Sequence, residues 1–147
     1  AMTGWRMGWM ICPSDAEEKL RDLILYETMG PPAFTQYGAL AALRHGEEFI
    51  KEQLSHWEKN LDMVMNKFEE LPRVRMARPA ATFYAFFKVE GEPDSMSLAR
   101  RLIDEAGVSL APGASFGSSC PDYLRLCFGA APEVMEEALN RLEKVLR

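Results

Sequence analysis

Two arginines lie in apolar segments, where a charged side chain needs a partner. Arg6 lies in the apolar and aromatic run of residues 5–12, and Arg125 lies in a second such run, residues 123–128. A guanidinium group binds the oxygens of a phosphate or a carboxylate through two parallel hydrogen bonds, and burying it unpaired is unfavourable. Anion binding is therefore the chemistry that these residues could perform. The alternatives are a structural ion pair for Arg6 and a solvent-facing strand position for Arg125.

No residues are arranged for metal binding or for nucleophilic catalysis. His45 and His56 occur in polar, helical contexts, and neither has a second ligand at metal-binding spacing. The three cysteines match no zinc pattern and are interpreted as free, buried thiols: Cys12, Cys120 and Cys127. The lysines lie in polar or helical-surface contexts. We therefore predict no metal site and no catalytic residue in this chain.

The first 45 residues predict one strand followed by two helices. The run of residues 5–12 is short, apolar and aromatic, which is typical of a buried strand. Ser14 and Glu17 have the spacing of a capping box and predict the start of the first helix. Two prolines end that helix, and a second helix is expected over residues 33–44. Because a single strand cannot satisfy its own backbone groups, this part is expected to complete a larger structure.

The clearest periodic signal predicts a long helix from about Glu47 to Glu70. Its apolar residues recur at alternating steps of four and three, which places them on one face: Ile50, Leu54, Trp57, Leu61, Val64, Phe68 and Leu71. At a rise of about 1.5 Å per residue, the helix spans roughly 35 Å. We expect it to pack lengthwise against its own protein, and a coiled coil is the alternative.

From about Leu71 the pattern predicts the order strand, strand, helix, strand, strand, helix. The fold class is therefore α/β, with one open sheet and helices on one side. The expected strands cover residues 73–78, 80–89, 108–111 and 123–128, and the expected helices cover residues 97–106 and a segment that starts at Pro132. Alternation in the last strand places Arg125, Tyr123 and Cys127 on the face opposite its apolar side chains: Leu124, Leu126 and Phe128.

The other aromatic and basic side chains of this half receive structural interpretations. The aromatic residues of the second strand are expected in the core: Phe83, Tyr84, Phe86 and Phe87. The arginines of the first strand are interpreted as a solvated, charged edge of the sheet: Arg73, Arg75 and Arg78. Neither group is assigned to a ligand.

Four segments resemble motifs of the class I and II pyridoxal-phosphate-dependent aminotransferases, which have fold type I. Residues 1–9 (AMTGWRMGW) resemble the end of the signature around the cofactor-binding lysine, and residues 123–129 (YLRLCFG) resemble a late strand with a substrate-binding arginine. Residues 80–84 (AATFY) and 108–117 (VSLAPGASFG) resemble a strand and a loop between these two motifs. The motifs follow the family's order and spacing. One departure is Ala81, where the family usually has a glycine.

The resemblance implies the C-terminal portion of such an enzyme. Residues 1–45 would be a strand-helix-helix remnant of the large cofactor-binding domain, and residues 46–147 would form a long linking helix and the small C-terminal domain. Arg6 would bind the phosphate of pyridoxal 5'-phosphate, and Arg125 would bind the carboxylate of the amino-acid or 2-oxo-acid substrate. The lysine that forms the Schiff base would lie three residues before Ala1.

The chain alone is therefore expected not to transfer amino groups and not to hold the cofactor. The alternative hypothesis is a stand-alone, non-catalytic module with a weak anion site or a role in self-association. A net charge of -5 argues against a nucleic-acid partner. No apolar run approaches the roughly 20 residues of a membrane-spanning helix, and no signal peptide is recognised, so a cytoplasmic location is expected. A homo-oligomer is expected as well.

Overall fold

The computed structural model describes residues 2–147, and Ala1, where the resemblance to the lysine signature starts, lies outside the described residues. The chain divides into two compact units, Ala1–Lys51 and Glu52–Arg147. The helices are, in chain order, α1 (Glu17–Thr28), α2 (Ala33–His45), α3 (Glu47–Glu69), α4 (Ser95–Ala106) and α5 (Pro132–Leu146).

The buried strand predicted for residues 5–12 is wrong. A short 3-10 helix covers Thr3–Trp5, and residues 7–13 have no regular secondary structure. The side chains of Trp9, Met10 and Ile11 are exposed by 73%, 68% and 94%. A strand needs a neighbouring backbone to satisfy its N–H and C=O groups, and the described part of the first unit contains no strand that supplies one.

The first helix begins later than its sequence signal predicts. No side chain caps α1, whose preceding residue is Ala16, so the predicted capping box of Ser14 and Glu17 is wrong. The N–H of Ala16 instead donates to the carbonyl of Pro13 at 3.0 Å, which forms a turn where the first helical residues were expected. Helix α2 follows the prediction and extends it by one residue, to His45.

The long helix α3 is confirmed, but its apolar face is buried only in its second half. Leu61, Val64 and Phe68 are buried, whereas Ile50 and Leu54 are exposed by 50% and 54%. The periodicity therefore predicted the helix and the residues that share a face. It did not predict where along that face the packing begins, because this depends on how far the neighbouring elements extend.

The second unit contains a four-stranded antiparallel sheet within the described residues. Its strands are β1 (Val74–Met76), β2 (Tyr84–Val89), β3 (Ala111–Pro112) and β4 (Tyr123–Cys127). The spatial order is β1-β2-β4-β3. Strands β2 and β4 pair over the full length of β4, with Phe86 opposite Arg125. The predicted order of strands and helices from Leu71 onward is confirmed.

One face of the sheet forms the core with α3, α4 and α5. The side chains directed to this face are nearly inaccessible to solvent: Ala85, Phe87 and Val89 of β2, and Leu124 and Leu126 of β4. The cluster is completed by apolar residues of the three helices, including Val64, Leu102 and Leu142. Burial of these large side chains, each worth about 1.5–3 kcal/mol, stabilises this layered arrangement. The opposite face carries no helix of this cluster and holds the candidate site.

Candidate functional site

The open face of the sheet presents a row of half-buried polar and aromatic side chains. Residues of β2 and β4 alternate between the core and this face, because successive side chains of a strand point to opposite sides. The open face receives Tyr84, Phe86 and Lys88 from β2, and Tyr123 and Arg125 from β4. The predicted orientation of Arg125, opposite to its apolar neighbours, is confirmed.

The guanidinium group of Arg125 contacts two aromatic rings. Its Cζ lies 4.2 Å from the centre of the Tyr84 ring and 4.3 Å from the centre of the Phe116 ring. Within residues 2–147, no carboxylate lies within salt-bridge distance of Arg125, and its guanidinium makes no hydrogen bond. Ring contacts stabilise the cation through the aromatic quadrupole without occupying its N–H groups. Arg125 therefore has free donors for an anion.

The loop after β3 places Phe116 over this arginine. Ala111 of β3 lies opposite Arg125 in the sheet, and a 3-10 helix from Gly113 carries the chain to Phe116. A Cβ atom on Gly113 would lie only 2.4 Å from the carbonyl oxygen of Cys120, so no larger residue fits there. This close approach explains the glycine of the proline-glycine loop, and it fixes the start of the segment that ends in Phe116.

A cavity of about 770 Å³ opens above these residues, and it is lined by Tyr84, Phe116 and Arg125 together with Arg75 and Arg78. The two arginines at its rim are already paired: Arg75 with Glu90 at 2.9 Å and Arg78 with Asp62 at 2.7 Å. These pairs agree with the predicted solvated edge. The cavity thus combines apolar rings with one unpaired guanidinium, which suits a ligand that carries a carboxylate on an apolar body.

Four residues of this site were missed or misassigned from the sequence. Tyr84 and Phe86 were predicted in the core but are half-buried on the open face, while Phe87 is fully buried as predicted. The signal that distinguishes them is the two-residue period: Phe87 and Tyr84 cannot face the same side. No role was predicted for Phe116, although it belongs to the loop motif of residues 108–117, after the proline-glycine pair. Cys127, predicted as a buried thiol, is exposed on the open face.

Arg6 lies in the first unit and is exposed rather than buried. It follows the 3-10 helix with φ of 54°, and its Nη1 donates to the carbonyl of Thr3 at 3.4 Å. No salt bridge of Arg6 occurs within the part of the chain that the structure describes. The argument that burial forces an anionic partner on Arg6 is therefore wrong, because solvent can satisfy an exposed guanidinium. Its remaining N–H groups are accessible to solvent.

Two further features concern metal binding and membrane spanning. Both statements are limited to residues 2–147. No group of three or more histidine, cysteine or acidic side chains is placed to hold a metal ion in that range. No helix in the same range is both long and apolar enough to cross a membrane.

Comparison with known proteins gives matches over nearly the whole chain. A family model described as "Aminotransferase class I and II" matches residues 1–142. The aromatic-amino-acid aminotransferase 2 of Thermococcus litoralis and the aspartate aminotransferase of Pyrococcus abyssi are each 34% identical to the chain over 152 residues. These matches cover 100% of this chain and 38% of each relative, so the chain spans well under half of their length.

Solved structures give the same result. The aromatic aminotransferase from Pyrococcus horikoshii OT3 matches with a TM-score of 0.89 and 29% identity, covering 99% of this chain and 39% of that one. An aspartate aminotransferase from Thermotoga maritima matches with a TM-score of 0.84 and 30% identity, covering 99% of this chain and 36% of that one. The likeness therefore extends from sequence to three-dimensional structure.

Proposed function

The chain belongs to the class I and II aminotransferase family, and from this premise we propose that it supplies the C-terminal part of a pyridoxal-phosphate-dependent enzyme that transfers an amino group between an amino acid and a 2-oxo acid. In this proposal, residues 1–45 are a remnant of the large cofactor-binding domain. Residues 46–147 form the linking helix and the small domain.

The unpaired guanidinium of Arg125 is the observation that carries the proposal. Amino acids and 2-oxo acids share a carboxylate, and a planar guanidinium can bind both of its oxygens at once. The rings of Tyr84 and Phe116 lie against the guanidinium at 4.2 and 4.3 Å. They restrict its rotation before the ligand arrives, which lowers the entropic cost of binding. We propose that Arg125 binds and orients the substrate carboxylate.

We propose that Arg6 binds the cofactor phosphate in the complete enzyme. Its exposure and its lack of a salt bridge within residues 2–147 support this role, since a phosphate would meet free donors. When bound, pyridoxal phosphate supplies an electron sink for the transfer. One arginine offers only a weak site, and the family resemblance implies that the Schiff-base lysine would precede Ala1. We therefore propose that this chain alone does not hold the cofactor.

The complete enzyme is further proposed to be a homo-oligomer. Large apolar side chains of the first unit are exposed, among them Leu25, Phe34 and Tyr37 at 55%, 71% and 74%. Monomeric proteins rarely leave so many large apolar groups in water, so these side chains are expected to contact further polypeptide. That polypeptide includes the rest of the enzyme and, in this proposal, a second subunit.

The carboxylate site can be tested on the chain itself. We expect 2-oxoglutarate to shift the NMR signal of the Arg125 Nε–H group with a dissociation constant of about 1 mM, since one guanidinium–carboxylate contact at an open face supplies only a few kcal/mol. Arg125→Leu should weaken binding by at least about tenfold, which corresponds to about 1.4 kcal/mol.

Arg78→Leu is the matched control for charge. Arg78 lines the same cavity but is engaged by Asp62 at 2.7 Å. Its loss should change the affinity for 2-oxoglutarate by less than about twofold, the scale of a screened surface charge. If both substitutions weakened binding equally, the ligand would be responding to overall positive charge, and the assignment of Arg125 would be refuted.

A further inference from the structure

Asn60 is a polar residue in the interior of the second unit. It lies on α3 with 0% of its surface exposed, between the core residue Val64 and the partly buried Trp57, which packs against the core. Its Oδ1 has no hydrogen-bond partner among the described residues. A buried amide with an unsatisfied oxygen is unfavourable compared with an apolar side chain of similar size. The contacts of its nitrogen must account for its presence.

The Nδ2 group of Asn60 holds the end of the strand that carries Arg125. It donates to the carbonyl of Phe128 at 2.9 Å and to the carbonyl of Ala130 at 2.8 Å. Phe128 directly follows β4, so both carbonyls lie beyond the regular ladder of the sheet. Asn60 therefore provides, from a helix, the hydrogen bonds that a neighbouring strand would otherwise provide.

The same strand end is held on its other side by β2. The N–H of Phe128 donates to the carbonyl of Phe83 at 2.9 Å. Phe83 directly precedes Tyr84, whose ring lies against the Arg125 guanidinium. The backbone of Phe128 thus links the Asn60 amide to two elements: strand β4, which carries Arg125, and the segment that carries the Tyr84 ring.

We propose that Asn60 is a positioning residue for the carboxylate site. It fixes the C-terminal end of β4, and thereby the position of Arg125 in the sheet and the direction of its side chain. This inference rests on the proposed function, because it assigns Asn60 a role at that site. A bidentate contact between a guanidinium and a carboxylate is weakened by small errors in angle and distance, so the supporting backbone must be rigid. The unfavourable burial of the amide is offset by this support.

The test uses Asn60→Leu, which removes both donors without opening a cavity, and Asn60→Ser as a milder variant. Val64→Ala is the matched control, because Val64 lies one turn further along α3, is equally buried and is a residue of the apolar core. Affinity for 2-oxoglutarate is measured by NMR on the folded fraction, and amide hydrogen exchange is followed along β4.

The Asn60 variants should weaken 2-oxoglutarate binding about tenfold and accelerate exchange selectively at Arg125 and Phe128. Val64→Ala should lower the unfolding midpoint without either effect. Equal exchange rates in β4 for the variants and the control would overturn the inference, as would unchanged affinity in the Asn60 variants. If the unsubstituted chain fails to bind 2-oxoglutarate, the proposed function falls, while hydrogen exchange still decides whether Asn60 holds the strand.

Discussion

At the residue scale, the backbone of Thr82 is unusual. Its φ is 75°, in the left-handed region that β-branched residues rarely adopt. Thr82 lies in the bend before β2 and lines the cavity above Arg125. Such a conformation is unfavourable by about 1–3 kcal/mol and persists only where the surrounding structure imposes it. Here the imposed conformation directs the chain into the strand that carries Tyr84.

Thr82→Gly is therefore expected to raise the free energy of unfolding by about 0.5–1 kcal/mol, because glycine adopts positive φ without steric conflict. The relief of strain is larger than this value, but part of it is cancelled because glycine makes the unfolded chain more flexible. Ala81→Gly is the control: its φ is not positive, so the same change should lower stability by about 0.5–1 kcal/mol. Urea unfolding followed by circular dichroism measures both. Changes of the same sign would contradict the assignment of strain to Thr82.

At the element scale, one carboxylate joins β1 to α4. Glu92 Oε1 accepts hydrogen bonds from Arg101 of α4 at 2.6 Å and from Arg73, which precedes β1, at 3.2 Å. The hydrogen bond from Arg101, helped by Arg73, lowers the pKa of Glu92 below its ordinary value of 4.5. The charged form is thus favoured in the folded state. Its contribution to stability is complete above pH 4.5 and is lost as the pH falls through the lower, folded-state pKa.

Glu92→Gln should lower the free energy of unfolding by about 1 kcal/mol at pH 7, the scale of a partly exposed charged hydrogen bond. The difference from the unsubstituted chain should shrink as the pH is lowered below 4.5, since protonation then removes the same interaction. Unfolding curves at several pH values measure this. Glu90→Gln is the control, because among residues 2–147 the Glu90 carboxylate pairs only with the exposed Arg75. A pH-independent difference for Glu92→Gln would refute the linkage.

At the scale of the whole molecule, the chain carries the two proposed anion-binding arginines but spans 38% of its curated relatives. The two units differ in how far their apolar side chains are buried. Residues 52–147 bury a continuous apolar core, whereas large apolar side chains of the first unit remain exposed. Within the described range of that unit, only Thr35 is buried in α1 and α2. This exposure supports the proposal that the first unit is one part of a larger domain.

The purified chain, supplied with pyridoxal phosphate, is expected not to transfer an amino group from aspartate or phenylalanine to 2-oxoglutarate. The physical reason is that the two proposed anion-binding residues, Arg6 and Arg125, cannot form the covalent bond to the cofactor that a lysine provides. Glutamate formation is measured beside a full-length family member as the positive control. Turnover that co-purifies with the chain and is lost in Arg125→Leu would contradict this expectation.

The sequence by itself determined the order of the elements from Leu71 onward, the long helix and the family, although the strand bounds differ: strands expected over residues 80–89 and 108–111 cover Tyr84–Val89 and Ala111–Pro112. Each of these follows from a local pattern or from short motifs: a run of β-branched and aromatic residues in β2, a two-residue alternation in β4, a helical period in α3, and four segments in family order. The face of the sheet on which Arg125 lies was also predictable, because the apolar side chains that alternate with it in residues 123–128 must face the core. Local patterns are reliable here because the second unit contains the partners that they require.

Only the tertiary structure decided which residues surround Arg125. Phe116 lies nine residues before it and reaches it through a loop, and Asn60 contacts the end of its strand from α3, 68 residues before Phe128. No local period encodes such contacts. The strand predicted at residues 5–12 failed for the complementary reason: an apolar sequence favours burial, but a strand forms only where a second backbone is present to pair with it.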